Sequence, residues 1–301
     1  GGLLALAGLF VRPATPSTAL ARDALLGAGW VGVMSFASPL SVPPVRLEAG
    51  ETLVFHDASP SGVVAVVGRD GERLLRTENY SVLGGTAETV HQRRQAHLPL
   101  LLHPTARRVA YVGSATGISA GAALDHPIGS LRLVELVPGV ADAARRFFRD
   151  ANGAVYEDPR TRVSLDDARN FFRSTDERFD LVVADLFVPW RAGTGSVYTR
   201  EHFEAVRARL APDGVFCQWL PLYQLGEAEL ETILATFLDV FPKAALFRGD
   251  FYGGYPIVAL VGWTGAVAAP EDVAEAAAAL AARGETDRWV TDPDGIFSLY
   301  V

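Results

Sequence analysis

The stretch Arg108-Val-Ala-Tyr-Val-Gly-Ser-Ala-Thr-Gly117 decides the fold. A compact apolar run that breaks into a loop bounded by glycines reads as a buried strand turning into a helix. Small residues after Gly117 supply that helix. The unit repeats outward. Leu131–Leu136 is a second strand, followed by a helix with Val140, Ala143, Ala144, Phe147 and Phe148 at helical spacing. Arg162–Leu165 is a third strand, and Asp166 or Asp167 can cap the helix carrying Phe171 and Phe172. Phe179–Ala184 is a fourth strand ending at Asp185. After a loop from 186 to 196 come a helix near 199–210, a strand over 214–219, a helix over 226–240, and strands at 244–247 and 257–262. Strands alternating with helices predict an α/β fold with a mainly parallel, doubly wound sheet.

Upstream, Val63–Val67 and Arg73–Leu75 flank the turn Arg69-Asp-Gly-Glu72, a hairpin signal. Residues 82–92 read as a polar loop marked by Gly84 and Gly85. The expected division is therefore an N-terminal arm (1–49), a β-hairpin subdomain with a gate segment (50–104), a Rossmann-like domain (105–265) and a C-terminal helical extension (266–301).

In a doubly wound sheet ligands bind beyond the carboxyl ends of the strands. Gly113, Ser114 and Gly117 stand after the first strand, where glycine lets backbone approach a ligand closely. Glu135 ends the second strand, 22 residues past Gly113 and flanked by Leu136. An acid about 20 residues beyond such a loop is placed to accept ribose hydroxyls. After the third strand, in Asp166-Asp167-Ala168-Arg169, a carboxylate can accept an adenine amino group, and the next backbone N–H can donate to a ring nitrogen. Asp185, at the mouth of a buried strand, is a candidate general base. Taken singly, each feature has an ordinary structural alternative, such as a tight turn or a helix cap. Their order along four successive strands describes an adenosyl site. The loop lacks the third glycine of a dinucleotide fingerprint.

Composition narrows the classes further. The 301 residues carry 27 basic and 35 acidic side chains, a formal net charge of −8. Without a basic run the chain is a poor nucleic-acid binder. One cysteine, Cys217, excludes an internal disulfide and a multi-cysteine metal site, and fits a reducing, cytoplasmic setting. No metal is expected. The charge is uneven, since residues 24–45 hold none. Two readings of that start are open: an apolar arm packed on the domain or on a second subunit, and the junction with an upstream membrane domain. The second would put the chain at the inner face of a membrane.

With these residues in hand, the sequence resembles the spermidine synthase (polyamine aminopropyltransferase) family over roughly residues 50–262. It is most similar to the branch fused behind membrane transporter-like helices. The resemblance rests on the order of His97-Leu-Pro-Leu-Leu-Leu-His-Pro104, Gly113–Gly117, Val134-Glu-Leu-Val-Pro138, Asp166-Asp-Ala-Arg169, Ala184-Asp-Leu-Phe-Val-Pro189, Ser196–Phe203 and Gly214–Tyr223. It implies a Rossmann-like S-adenosylmethionine-dependent transferase fold with a small N-terminal β-rich subdomain, usually dimeric. It also implies a decarboxylated S-adenosylmethionine donor, a small-molecule amine acceptor and a methylthioadenosine product. Carried over by position, Gly113 and Gly117 line the donor, Glu135 binds ribose, Asp167 and Ala168 bind adenine, and Asp185 is the base. Tyr80, His91, Gln92, Arg93, Tyr198 and Gln218 are candidate pocket walls.

Three departures concern the acceptor and gate. Val188 stands where the family has a second acid, Ala87 where an acid grips the donor's amino group, and Arg93 where the family has a carboxylate. Two alternatives therefore stay open beside aminopropyl transfer. One is an enzyme using intact S-adenosylmethionine, with Arg93 or Arg94 pairing the donor's carboxylate. The other is a non-catalytic adenosyl-binding module.

Overall fold

In the computed structural model, described for residues 45–79, 81–190, 193–249 and 255–301, residues 47–301 form one compact unit. It begins with four antiparallel strands in chain order: β1 (Thr52–Ser59), β2 (Gly62–Arg69), β3 (Glu72–Thr77) and β4 (Ser81–Gly85). Asp70 and Gly71 both have positive φ in the β2–β3 turn, the backbone that an Asp-Gly hairpin needs. The segment read as a polar loop is instead β4, running into helix α1 (Thr89–Leu101). Pro99 lies inside α1, and residues 94–101 are buried on every side, so no helical period shows in the sequence.

The larger sheet follows: β5 (Arg108–Val112), α2 (Ile118–Ala123), β6 (Ser130–Glu135), α3 (Pro138–Phe147), β7 (Thr161–Leu165), α4 (Ala168–Ser174) and β8 (Phe179–Ala184). Then come α5 (Arg200–Arg209), β9 (Leu210–Pro221), α6 (Glu227–Val240), β10 (Ala244–Arg248), β11 (Ile257–Trp263), α7 (Pro270–Ala282), α8 (Arg288–Thr291) and α9 (Pro293–Ser298). The strand order is β10-β11-β9-β8-β5-β6-β7. β5 to β9 pair in parallel, while β11 runs antiparallel to β9 and to β10.

Both faces of this sheet are covered, which is why its central strands are almost wholly apolar. Val109, Tyr111, Leu181, Val183 and Cys217 face one core with α1, α2 and the C-terminal helices. Their neighbours Ala110, Val112, Val182, Ala184 and Phe216 face the other, with α4, α5 and α6. Helix α3 puts Val140 and Ala143 under β2 and β3 of the first sheet. Its exposed Arg146 lies over the Phe55 and Phe147 rings. Among the described residues no helix is long and apolar enough to cross a membrane. The expected arm lies almost wholly outside the described residues, as does Tyr80.

Candidate active site

β5, β6, β7 and β8 are neighbours and parallel, so their carboxyl ends open on one side of the sheet. After β5 the chain turns through positive φ at Gly113, Ala115 and Gly117. A Cβ on Gly113 would stand 3.3 Å from the Phe187 ring and 3.7 Å from the Asp185 Cβ. One on Gly117 would meet Tyr156 at 3.0 Å and Asn152 at 3.1 Å. Positive φ and close neighbours thus both favour glycine at 113 and 117.

Glu135 ends β6, only 7% exposed. Its Oε2 accepts the Ser114 N–H and the Ser114 hydroxyl, each at 2.9 Å, and its Oε1 accepts the Val137 N–H at 2.9 Å. A carboxylate offers about four acceptor sites. Three are filled from within, and the fourth suits one hydroxyl of a ligand. Leu136, beside it, is 61% exposed.

Asp167 follows β7 and caps α4, accepting the Arg169 N–H at 2.9 Å and Arg169 Nε at 3.0 Å. The Arg169 hydrogen bonds hold its carboxyl below the ordinary range. Its neighbour Ala168 opens α4. The cap and the adenine reading therefore fall on the same carboxylate.

Asp185 follows β8. Its backbone N–H donates to Val112 O at 3.1 Å, which sets the loop beside β5, and its Oδ1 accepts the Leu186 N–H at 2.8 Å. Desolvation pushes the Asp185 carboxyl up to about 6, against the Leu186 N–H and with help from the Glu135 charge. Gln218, fully buried on β9 opposite Ala184, donates to Asp185 O at 3.4 Å and Trp219 O at 3.0 Å. Tyr198 donates its hydroxyl to Phe187 O at 2.8 Å, fixing the loop after Asp185. Beyond Tyr198 a cleft of about 350 Å³ runs between Pro189, Leu225, Glu229 and Ile233. A larger cleft of about 670 Å³ lies at the opposite ends of the strands, among Arg108, Arg178, Arg207 and Asp213. It holds none of the strand-end acids.

The gate candidates divide. Gln92 donates to Gly85 O at 2.8 Å and accepts from the Thr116 hydroxyl, so it touches the glycine loop. His91 is partly exposed, 3.9 Å from Glu88. Arg93, a candidate pocket wall, is engaged by carboxylates of the chain itself. Its Nη2 donates to Glu285 and to Asp125, each at 2.7 Å, and its Nε to Glu285 at 2.9 Å. Arg94 is likewise held by Asp287 at 2.7 Å. Both guanidiniums thus have counter-ions within the chain itself, so a donor carboxylate would have to compete with them. Sequence reasoning missed Asn152, which donates to Thr116 O at 3.1 Å, and Tyr156 beneath Gly117. It also missed Glu285 and Asp287. No local pattern marks any of the four. Among the described residues no group of three or more His, Cys, Asp or Glu is placed to hold a metal ion.

A glycine loop and three strand-end acids thus share the side of a doubly wound sheet at which such folds bind ligands. The spermine/spermidine synthase domain family matches residues 88–249, more than half of the chain, and the chain belongs to that family. A polyamine aminopropyltransferase from Serratia proteamaculans is 30% identical over 171 residues, covering 56% of this chain and 59% of that protein. One from Aeropyrum pernix is 29% identical over 170 residues, covering 55% and 54%. The chain thus spans a little over half the length of these curated relatives. Among solved structures, spermidine synthase from Thermotoga maritima superposes with a TM-score of 0.69 at 17% identity, covering 83% of this chain and 84% of that one. A spermidine synthase in complex with the transition-state analogue AdoDATO gives 0.67 at 19% identity, covering 81% and 88%. At those identities the likeness is one of fold.

Proposed function

We propose that the chain is an aminopropyltransferase that moves the aminopropyl group of decarboxylated S-adenosylmethionine to an amine and releases methylthioadenosine. The observation that carries this is Asp185. It is a partly buried carboxylate raised to about 6, and it shares the carboxyl ends of four parallel strands with Gly113–Gly117, Glu135 and Asp167. In this reading Glu135 gives its remaining acceptor site to a ribose hydroxyl. Asp167 and the Ala168 N–H meet the adenine edge, and Gly113 and Gly117 admit the sulfonium end. The acceptor nitrogen attacks the methylene next to sulfur. The carbon–sulfur bond breaks with its electron pair on sulfur, giving a neutral thioether, and the nitrogen's proton passes to Asp185. A neutral leaving group needs little electrostatic help, so alignment and proton removal are the protein's tasks.

Decarboxylated rather than intact donor is favoured by Arg93 and Arg94. Arg93 is paired with Asp125 and Glu285, and Arg94 with Asp287, rather than left for an α-carboxylate. The dimer, the upstream membrane domain and a place at the inner membrane face belong to the same proposal. The mass of the native assembly and the gene sequence before Gly1 would read them.

The purified chain is incubated with decarboxylated or intact S-adenosylmethionine, each with and without putrescine or other amines, and products are identified by mass. Methylthioadenosine formed only from the decarboxylated donor with an amine is the expected result. Turnover of the intact donor would overturn the reading in favour of another sulfonium-cleaving enzyme. Methylthioadenosine binding without turnover of either donor would overturn it in favour of a binding module.

A further inference from the structure

The segment after α7 is joined to the glycine loop through α1 by part-buried polar contacts. Glu285 is the hub. Its Oε2 accepts from Arg93 Nε at 2.9 Å and Nη2 at 2.7 Å, and lies 3.1 Å from His97 Nε2. Its Oε1 accepts the N–H groups of Thr286 at 2.8 Å and Asp287 at 3.0 Å, which orients the carboxylate. Asp287 receives Arg94 Nε at 2.7 Å on one oxygen and caps α8 with the other. The His97 ring is fully buried, and the Glu285 side chain is only 9% exposed.

From α1 the contacts continue into α2, which has only six residues. So short a helix is not stable by itself and takes its position from neighbours. Its N-terminal approach is held by Gln92, which accepts from the Thr116 hydroxyl in the glycine loop. The chain just past its C-terminus is held by Arg93 on Asp125 at 2.7 Å and by His97 Nδ1 on His126 Nε2 at 3.0 Å. Helix α1 therefore splints the glycine loop and α2 at both ends, and Glu285 binds the two α1 residues that make the second attachment. His97, with the Asp287 N–H and Arg93 behind it, holds the Glu285 carboxyl well below its ordinary range against desolvation. It therefore carries its charge throughout the range in which the protein would work.

We propose that Glu285 is a positioning residue for the glycine loop, so that the C-terminal segment 285–287 is a working part of the site rather than a peripheral extension. The proposal rests on the reading of Gly113–Gly117 as the donor loop. It adds a residue that lies outside the stretch matching the family. A neutral amide at position 285 keeps the shape but leaves Arg93 with one carboxylate and His97 with none.

The test uses the full chain carrying Glu285→Gln, with Arg93→Lys as a second variant in case the first does not fold. Hydrogen exchange is followed in 84–92, 113–126 and 285–291, and methylthioadenosine affinity is measured by calorimetry. The expected result is exchange faster by about tenfold in 113–126 and affinity weaker by about tenfold, the scale of coupling through a packed network. Faster exchange confined to 285–291, with 113–126 unchanged in a folded variant, would overturn the proposal. If the wild type binds no methylthioadenosine, the donor-loop reading fails instead. The exchange at 113–126 still decides whether Glu285 positions that loop.

Discussion

A carboxyl that titrates near 6 carries a sign that can be checked. For Asp185 the folded protein holds its proton to higher pH than the unfolded chain does. Its contribution to stability therefore falls as pH rises from about 4 to about 6. At pH 7.5 the charge is present and unfavourable, so Asp185→Asn should melt no lower than wild type by calorimetry. The same variant should lose about 10²-fold or more in turnover, the usual scale for a missing general base, while methylthioadenosine still binds. Unchanged turnover would remove Asp185 as the base. Gly117→Ala acts differently, since its φ is +78° and the added Cβ would crowd Tyr156 at 3.0 Å. Urea unfolding should show a loss of about 1–2 kcal/mol, together with weaker nucleoside binding. At this scale the placement of Gly113, Glu135 and Asp185 at strand ends was readable, because each closes a buried apolar run. Arg93 was not readable, because its partner Glu285 lies 192 positions away. A charge with no local partner in sequence reads as free, and only the tertiary fold supplies its counter-ion.

The parallel strands β5, β6 and β8 announced themselves because burial on both faces demands continuous apolar runs. The first sheet did so only in part. β2 and β3 are buried enough to show, whereas β1 is exposed at most positions and β4 ends in Gly84-Gly85, which mimics a loop. Gly84 has φ +140°, and a Cβ there would press on Gln92 Oε1 at 2.8 Å. The same glycine that hid the strand lets β4 lie against α1. This small sheet is tied down by an ion pair. Arg76 Nη1 donates to Glu51 Oε2 at 2.9 Å, and its Nη2 reaches Oε1, with Arg69 adding a bond to Oε1 at 3.1 Å. The Glu51 side chain is fully buried and that of Arg76 is 7% exposed. Removing one partner of a buried pair strands the other charge. Arg76→Met should therefore destabilise by about 3 kcal/mol, somewhat less if Arg69 moves in. The double variant Arg76→Met/Glu51→Leu should recover most of that loss in urea unfolding. Additive effects of the two changes would mean that the pair contributes no coupling.

For the molecule as a whole, the βα alternation predicted a mainly parallel sheet, yet the order β10-β11-β9-β8-β5-β6-β7 was not readable. Strand order is decided by which helix covers which face, and that is a property of the packed chain. The packed chain also sets the acid response. Burial lowers His126 to about 3, with His97, Arg283 and Arg93 opposing its charge. It lowers His202 to about 4, where Asp167 favours the charge and Arg169 and Arg173 oppose it. The unfolded chain protonates both near 6.5 while the folded protein does not, so stability is fully present above that pH and falls toward pH 4. Asp185 acts in the opposite sense between about 6 and 4. Those two histidines against one carboxyl leave unfolding taking up about one net proton near pH 5, a slope of about 1.4 kcal/mol per pH unit, and His103, also lowered by burial, adds to it in the same sense. The lowered carboxyls of Glu285, Glu51, Asp167, Asp180 and Asp158 add to the loss as pH falls below about 5. Unfolding free energies from urea titrations at pH 5, 5.5, 6 and 7.5 test this directly. His202→Phe keeps the ring between Phe172 and Phe203 and should flatten the slope below pH 6.5. A flat wild-type profile from pH 7.5 to 5 would mean that the buried histidines take up protons without unfolding.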